Sequence, residues 1–427
     1  MQLLATEVIA RKRDGHELSS AEIQWMISGM LDGSVRDYQV SAWAMAVLCR
    51  GMTETETATL TRCMLQSGSS LKRMSDRPRV DKHSTGGLGD KVSLILAPLL
   101  ACFDVDVPML SGRGLGITGG TLDKLEAFPG YRCDLTEQEI ETQLASIGCV
   151  ITGTTPNIAP ADQQLYALRD VTGTVPSPPL ITSSILSKKL AESLDALVLD
   201  VKFGSGGFMK TLPKARELAE LMTSTARELG LNASVVLSDM NQPLGRMVGN
   251  ACEVNECWDV LQDAGPEDLR ELTLKLGGEL LVAVERFPSL DSAIAEMKLC
   301  LADGRAARRY QQLIECQGGR FAEHLPIAKR HVVTHTEAAG WIVRIDGEKL
   351  GQAVIRMGGG RMEKGQQLNH AVGLEMLVRV GDEVDFDAPL VNLFCDDASL
   401  LEDLEQQMRS AITVSEEQVE PLRLIVD

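Results

Sequence analysis

The chain has 427 residues, 44% of them hydrophobic and 24% charged, with 42 basic against 60 acidic side chains and a net charge of -18. This length exceeds one ordinary domain and predicts two or three. The acidic balance repels nucleic acid and anionic membrane surfaces, so neither is expected as a partner, and any anion site must be a local basic island.

Ten cysteines are present, with no Cys-x-x-Cys pair and none at zinc-finger spacing from a histidine. Reduced core thiols and no metal centre are expected. No basic-plus-apolar leader opens the sequence and no apolar run reaches transmembrane length, which predicts a cytoplasmic protein.

The first seventy or so residues read as helix. Ser19-x-x-Glu22 and Thr53-x-x-Glu56 have the form of capping boxes. Gly33 and Gly51 mark breaks, and the apolar residues of 38–48 recur at helical spacing. The polar stretch 67–79 reads as a linker. From Val80 the pattern becomes strand, glycine loop, helix. Val80 to Lys91 holds two lysines, a histidine, two hydroxyls and three glycines, and reads as a loop between an apolar segment and a helix. A strand at 107–110 leads to a second glycine loop, Ser111 to Thr121. A short apolar run at 149–151 follows. Residues 156–194 read as helical, broken by Pro176, Pro178 and Pro179. Strands are predicted at 197–201 and 234–237. Strands alternating with helices imply a parallel sheet, with ligands at the carboxyl ends of its strands. After about Val332 short alternating segments and glycine turns predict a small β-rich module, with a helix at 400–412.

Glycines let a backbone approach an anion closely, and a following helix turns free N–H groups toward it. Two such loops predict a phosphate held from two sides. Lys82, Ser84, Ser93, Ser111 and Thr121 can supply one cation and four hydroxyls to it. Gly114-x-Gly116-x-x-Gly119 matches a dinucleotide fingerprint in form, but no acidic residue follows the 149–151 strand to hold a ribose. Ser184 and Lys188 lie four apart on one helix face. With Arg169 they suit a planar ligand with carbonyl oxygens and a ring N–H. His83 is the one histidine inside a glycine loop.

These motifs resemble the pyrimidine-nucleoside phosphorylases of the thymidine phosphorylase type. The resemblance rests on Asp81-Lys82-His83-Ser84-Thr85-Gly86-Gly87-Leu88-Gly89-Asp90, on Ser111 through Glu126, on Ala159-Pro160-Ala161-Asp162, on Tyr166 through Asp170, on Ser187-Lys188-Lys189, on Asp200 through Met209 and on Asp239 through Gly245. It implies a small helical domain joined to a larger α/β domain with a mostly parallel sheet. The all-helical, pyrimidine-side dimerisation domain would take residues 1-66 and 160-193. The α/β phosphate-binding domain would take 78-155 and 196-330, and a C-terminal β-rich (α+β) module 332-427. The implied partners are a pyrimidine nucleoside, phosphate and a second copy in a homodimer.

The implied reaction is reversible phosphorolysis of thymidine, 2′-deoxyuridine and uridine to free base and (2-deoxy)ribose 1-phosphate, a step of pyrimidine salvage. Lys82, Ser84, Ser93, Ser111 and Thr121 match the family's phosphate ligands. His83, Leu115, Arg169, Ile181, Ser184 and Lys188 match its pyrimidine pocket, with His83, Arg169 and Lys188 in catalytic roles. Two departures stand out. The family often has histidine where this chain has Ile117. Some bacterial members bind potassium beside a threonine where Lys91 stands. The Lys91 ammonium is therefore expected to replace the ion and pair with Glu256, leaving no cofactor.

Two rivals are weighed against this. An anthranilate phosphoribosyltransferase-like enzyme shares the architecture, but needs an acidic pair for magnesium that Asp195 and Asp200 do not obviously supply. A biotinyl-type carrier would need a lysine at a hairpin tip, and Lys364, after Met362-Glu363, is out of pattern.

Overall fold

The computed structural model describes residues 3–114, 119–334, 339–363 and 365–426. Four helices open it: α1 (Ala5–Arg13), α2 (Ser20–Asp32), α3 (Asp37–Arg50) and α4 (Glu54–Gln66). Both expected capping boxes form, Ser19 with Glu22 and Thr53 with Glu56, and satisfy N–H groups that a helix start leaves open. Gly33 and Gly51 end α2 and α3 at positive φ. Ile23, Met26, Trp43, Val47 and Leu60 form the bundle core. Glu56 ties it together from inside, accepting from Lys12 Nζ at 2.7 and 2.9 Å and from the Leu18 N–H at 2.8 Å.

The middle of the chain alternates strands and helices. In order these are β1 (Val80–Ser84), α5 (Val92–Leu100), β2 (Val107–Leu110), α6 (Thr121–Leu125), α7 (Glu137–Ile147), β3 (Cys149–Thr152), α8 (Pro160–Thr172), α9 (Pro178–Ala191), β4 (Ala196–Phe203), α10 (Leu212–Glu228) and β5 (Asn232–Asp239). β1, β4 and β5 run parallel, β2 pairs parallel with β3, and a bridge between Arg79 and Asp106 brings the two groups together. β4 is buried along its whole length, as a central parallel strand requires.

Two readings change here. Val80–Ser84 is a strand, so Lys82 and His83 stand on a sheet and only the residues after them form the loop. Pro178 and Pro179 open α9 rather than break it, because a helix start has no use for the N–H that proline lacks. α8 and α9 also leave the sheet. Ala161, Leu165 and Leu180 share the core of Trp43 and Leu60, while Ile185 and Leu186 on α9 pack with Leu197 and Leu199 of β4. α9 thus spans the helical and α/β halves.

The rest comprises β6 (Met247–Val248), α11 (Asn250–Leu261), α12 (Glu267–Ala283), α13 (Leu290–Ala302), α14 (Arg305–Cys316), β7 (Arg330–Thr334), β8 (Gly340–Ile345), α15 (Gly347–Arg356), β9 (Gly373–Met376), β10 (Glu383–Val384), β11 (Pro389–Phe394), α16 (Leu401–Ala411), β12 (Ile412–Ser415) and β13 (Ile425–Val426). Helices α11 to α14 cover α5 in the largest core. The C-terminal module has two antiparallel sheets, ordered β6-β9-β11-β7 and β10-β8-β12. It also holds α15, which alternation alone did not suggest. β6 belongs to the sheet of this module, and β13 returns to pair antiparallel with β5, so the module is stitched to the α/β body at two places.

Candidate active site

The first glycine loop joins the end of β1 to α5. Gly89 has φ +75°, and a Cβ there would lie 2.8 Å from the Leu244 carbonyl, so only glycine lets the turn close. Ser84 Oγ accepts from the Gly86 N–H at 3.1 Å, and Ser93 sits buried in the first turn of α5. The second loop leaves β2 at Ser111, whose N–H donates to the Thr152 carbonyl at 2.8 Å. It ends at Thr121, the first residue of α6. A Cβ on Gly120 would come within 2.1 Å of the Gly114 nitrogen, so the two ends of this loop touch. Asp123 holds them, accepting from the Gly114 N–H at 2.6 Å and from Arg361 of the C-terminal module at 2.6 Å. Leu115, Gly116 and Ile117 lie outside the described residues, as do His335 and Lys364.

Lys82 is buried on β1. Its Nζ has Asp90 at 3.5 Å and Asp200 at 3.9 Å, both beyond the usual 2.7–3.2 Å of an N–H···O bond. Asp200 is occupied elsewhere, by Lys202 Nζ at 2.7 Å and the Ser238 hydroxyl at 2.5 Å. Burial alone would raise the Asp90 carboxyl, but the fields of Lys202, Lys82 and Lys124 hold it far below the ordinary range. Lys82 Nζ therefore has no carboxylate seated on it and keeps hydrogen bonds to give.

On the other side stands α9. Lys188 Nζ bonds the Asp162 carboxylate and, at 3.0 Å, Ser184 Oγ, which leaves one of its three N–H groups for a ligand. Ile181 is half-buried one turn before Ser184. Arg169 on α8 is buried and bonds three carbonyls, Thr174 at 3.3 Å, Leu180 at 3.1 Å and Val175 at 2.7 Å. It clamps the turn between α8 and α9 rather than standing open in the cleft. His83 lies between the two halves. Burial first, then the charges of Lys189, Lys188 and Lys82, push its imidazolium well below the usual histidine range, with Asp90 opposing.

Among the described residues no cluster of His, Cys, Asp and Glu could hold a metal ion. Asp195 Oδ2 takes Arg73 at 2.6 Å and the Arg79 N–H at 2.8 Å, and Asp200 takes Lys202, so each is already paired with a cation. Lys91 is fully buried on the far side of the first loop. Its Nζ donates to the carbonyls of Leu244 at 3.0 Å and Met247 at 2.7 Å and bonds the Glu256 carboxylate. Burial would strip its proton, but Glu256 and Glu253 outweigh that and hold it charged.

Residues 76–307 match the glycosyl transferase family a/b domain, residues 6–68 the helical bundle domain of that family, and residues 341–415 the pyrimidine nucleoside phosphorylase C-terminal domain. The chain is 43% identical over 394 residues to the pyrimidine-nucleoside phosphorylase of Bacillus subtilis, covering 91% of each chain. It is 41% identical over 422 residues to that of Staphylococcus aureus, covering 97% of each. The chain belongs to the pyrimidine-nucleoside phosphorylase family. The crystal structure of anthranilate phosphoribosyltransferase from Thermus thermophilus superposes with a TM-score of 0.60 at 19% identity, over 73% of this chain and 99% of that one. That likeness is one of fold.

Asp162, Asp90 and Lys202 stand in the motifs of this phosphorylase-family chain, but sequence reasoning assigned them no role in the site. Asp162 stands 26 residues from the lysine it holds, and Lys202 acts on Lys82 through Asp200. Local spacing carries no signal for either. A neutral His83 has a direct readout. Because its surroundings disfavour the cation, the proton leaves at lower pH than the ordinary value of about 6.5. In an NMR titration the ring signal absent from a His83→Gln variant is expected to keep its neutral shift from about pH 8 down to about 6.5. A midpoint at or above that ordinary value contradicts this electrostatic picture.

Proposed function

We propose that the chain catalyses the reversible phosphorolysis of pyrimidine nucleosides, giving free base and (2-deoxy)ribose 1-phosphate, in pyrimidine salvage in the cytoplasm. One observation carries this reading. Strand β1 sets Lys82, with unclosed hydrogen bonds, directly beside His83, which lies in the field of Lys188. An anion on one side and a planar polar ring on the other would meet across a single residue.

Lys82, Ser84, Ser93, Ser111 and Thr121 hold phosphate, and Lys82 keeps its attacking oxygen in line with C1′. As the bond from C1′ to N1 breaks, positive charge grows on the sugar and negative charge on the departing base. The remaining N–H of Lys188 meets that negative charge at a base carbonyl, with Ser184 and Asp162 fixing the ammonium. Arg169 adds a fixed positive charge and, with Ile181, shapes the base side of the site. His83, neutral, donates a hydrogen bond to the departing base, which leaves as its anion and is protonated from solvent to give the free base. Closure of the cleft would join the two half-sites.

Potassium does not fit the residues present. The carbonyls of Leu244 and Met247 and the Glu256 carboxylate, oxygens that would suit such an ion, already surround the Lys91 ammonium. Lys91 acts as a built-in cation behind the first loop. A homodimer is supported by α3, which leaves Tyr38 (73% exposed) and, seven residues on, Met45 (41%) outward on one helix face.

Free base is expected from thymidine, 2′-deoxyuridine and uridine only when inorganic phosphate is present, and without magnesium. Lys188→Ala and Lys82→Met should each lower kcat/KM by about 100-fold or more, the scale of one lost transition-state contact. Wild-type rates in both variants would remove this site, and magnesium-dependent transfer from a pyrophosphorylated pentose would favour the phosphoribosyltransferase reading. Rates in potassium and sodium chloride at equal ionic strength should agree within about twofold; strong activation by potassium alone rules out the lysine as its substitute. Light scattering should give twice the 46.3 kDa chain mass, falling to one chain in Tyr38→Glu. A monomeric wild type would refute the dimer.

A further inference from the structure

Beneath the cleft lies a cluster of charges that touches no substrate position. Lys189, the residue after Lys188, points the opposite way into the protein and is 1% exposed. Its Nζ bonds the Asp81 carboxylate, Glu192 Oε1 at 2.7 Å and the Leu110 carbonyl at 3.1 Å. Glu192 Oε1 also accepts from the Leu110 N–H at 3.2 Å, and Asp81 Oδ1 accepts from the Lys82 N–H at 2.7 Å. Asp81 and Glu192 are both completely buried.

The partners are chain neighbours of the functional residues. Lys189 follows Lys188, Asp81 precedes Lys82, and Leu110 precedes Ser111. One ammonium therefore binds the helix that presents the base-side lysine and the two strands that present phosphate-side groups. Buried ionic clusters are poor sources of stability, since well-packed apolar side chains of like size do as well or better, but their directed bonds can fix how elements meet.

We propose that Lys189, with Asp81 and Glu192, is a positioning residue that sets the base-side half of the active site against the phosphate-side half. It touches neither substrate and acts through its neighbours in the chain. Burial and the Asp81 charge push the Glu192 carboxyl up well above its usual range, against the pull of Lys189. Lys189 therefore faces the Asp81 carboxyl and a Glu192 carboxyl whose surroundings favour its protonated form. Removing Lys189 alone leaves a buried carboxylate without its partner, which is destabilising by itself. Removing Lys189 and the Asp81 carboxylate together takes away one group of each sign and leaves no new excess charge.

This inference rests on the site reading above, and two variants separate its failure from that of the site. Lys189→Met is expected to lose both stability and activity. In Lys189→Met combined with Asp81→Asn, the asparagine oxygen can still accept from the Lys82 N–H. That double variant should recover Tm to within a few degrees of wild type. Its kcat for thymidine phosphorolysis should still be at least about tenfold low, with KM for phosphate raised at least about threefold. A cluster that serves only to hold the fold predicts recovery of Tm and rate together, and a double variant with wild-type kcat and phosphate KM overturns the proposal. Should Lys82→Met and Lys188→Ala also retain wild-type rates, the site itself has been misplaced. Loss in those two with full activity in the double variant refutes the role of Lys189 alone.

Discussion

A buried cation that must remain available to a ligand sets the terms for this whole active site. In the proposed phosphate site a buried lysine is favoured by negative charge nearby, yet a carboxylate seated on it would compete with the ligand. The structure meets both conditions by distance. Asp90 and Asp200 stand 3.5 and 3.9 Å away, and Lys202 occupies Asp200 from beneath. Charge of both signs is layered under the cleft so that one ammonium is left with unclosed bonds. In a chain of net charge -18, that local arrangement makes an anion site feasible.

The same constraint recurs at the other charged groups. Lys188 is held by Asp162 and Ser184 with one donor to spare. Lys91 is closed off by two carbonyls and a carboxylate, and Lys189 by two carboxyl groups and a carbonyl. A lysine with every bond made shapes the protein, while one with a bond left over can meet a ligand. By this measure Arg169, spent on three carbonyls, organises the turn between α8 and α9 before it does anything for a substrate.

The fold supplies the positions. Parallel strands β1 and β2 end at the same edge of the sheet, so both glycine loops open there. α8 and α9 leave the sheet to complete the helical bundle, which carries Arg169, Ser184 and Lys188 to the opposite wall. α9 also packs on β4, so the two walls share one helix. The C-terminal module reaches the second loop through Arg361 and Asp123, although it stands more than two hundred residues away in sequence.

Much of this was legible in the chain because its causes are local. Capping boxes at Ser19 and Thr53, the helical bundle, the alternation of strand and helix and the glycine loops all follow from patterns within a few residues. The long motifs also carried the family. What stayed hidden depends on residues far apart. That Lys82 and His83 lie on a strand was decided by pairing with β4, more than a hundred residues on. The partners Asp162, Lys202 and Glu192 acquire their roles only when the sheet and α9 meet. The sequence alone determined which side chains are chemically suited to an anion and to a planar polar ligand, since side-chain chemistry and glycine geometry are properties of the residues themselves. Only the tertiary structure decided which of those charges are satisfied and which stay available, because that depends on distances between elements that no local pattern encodes.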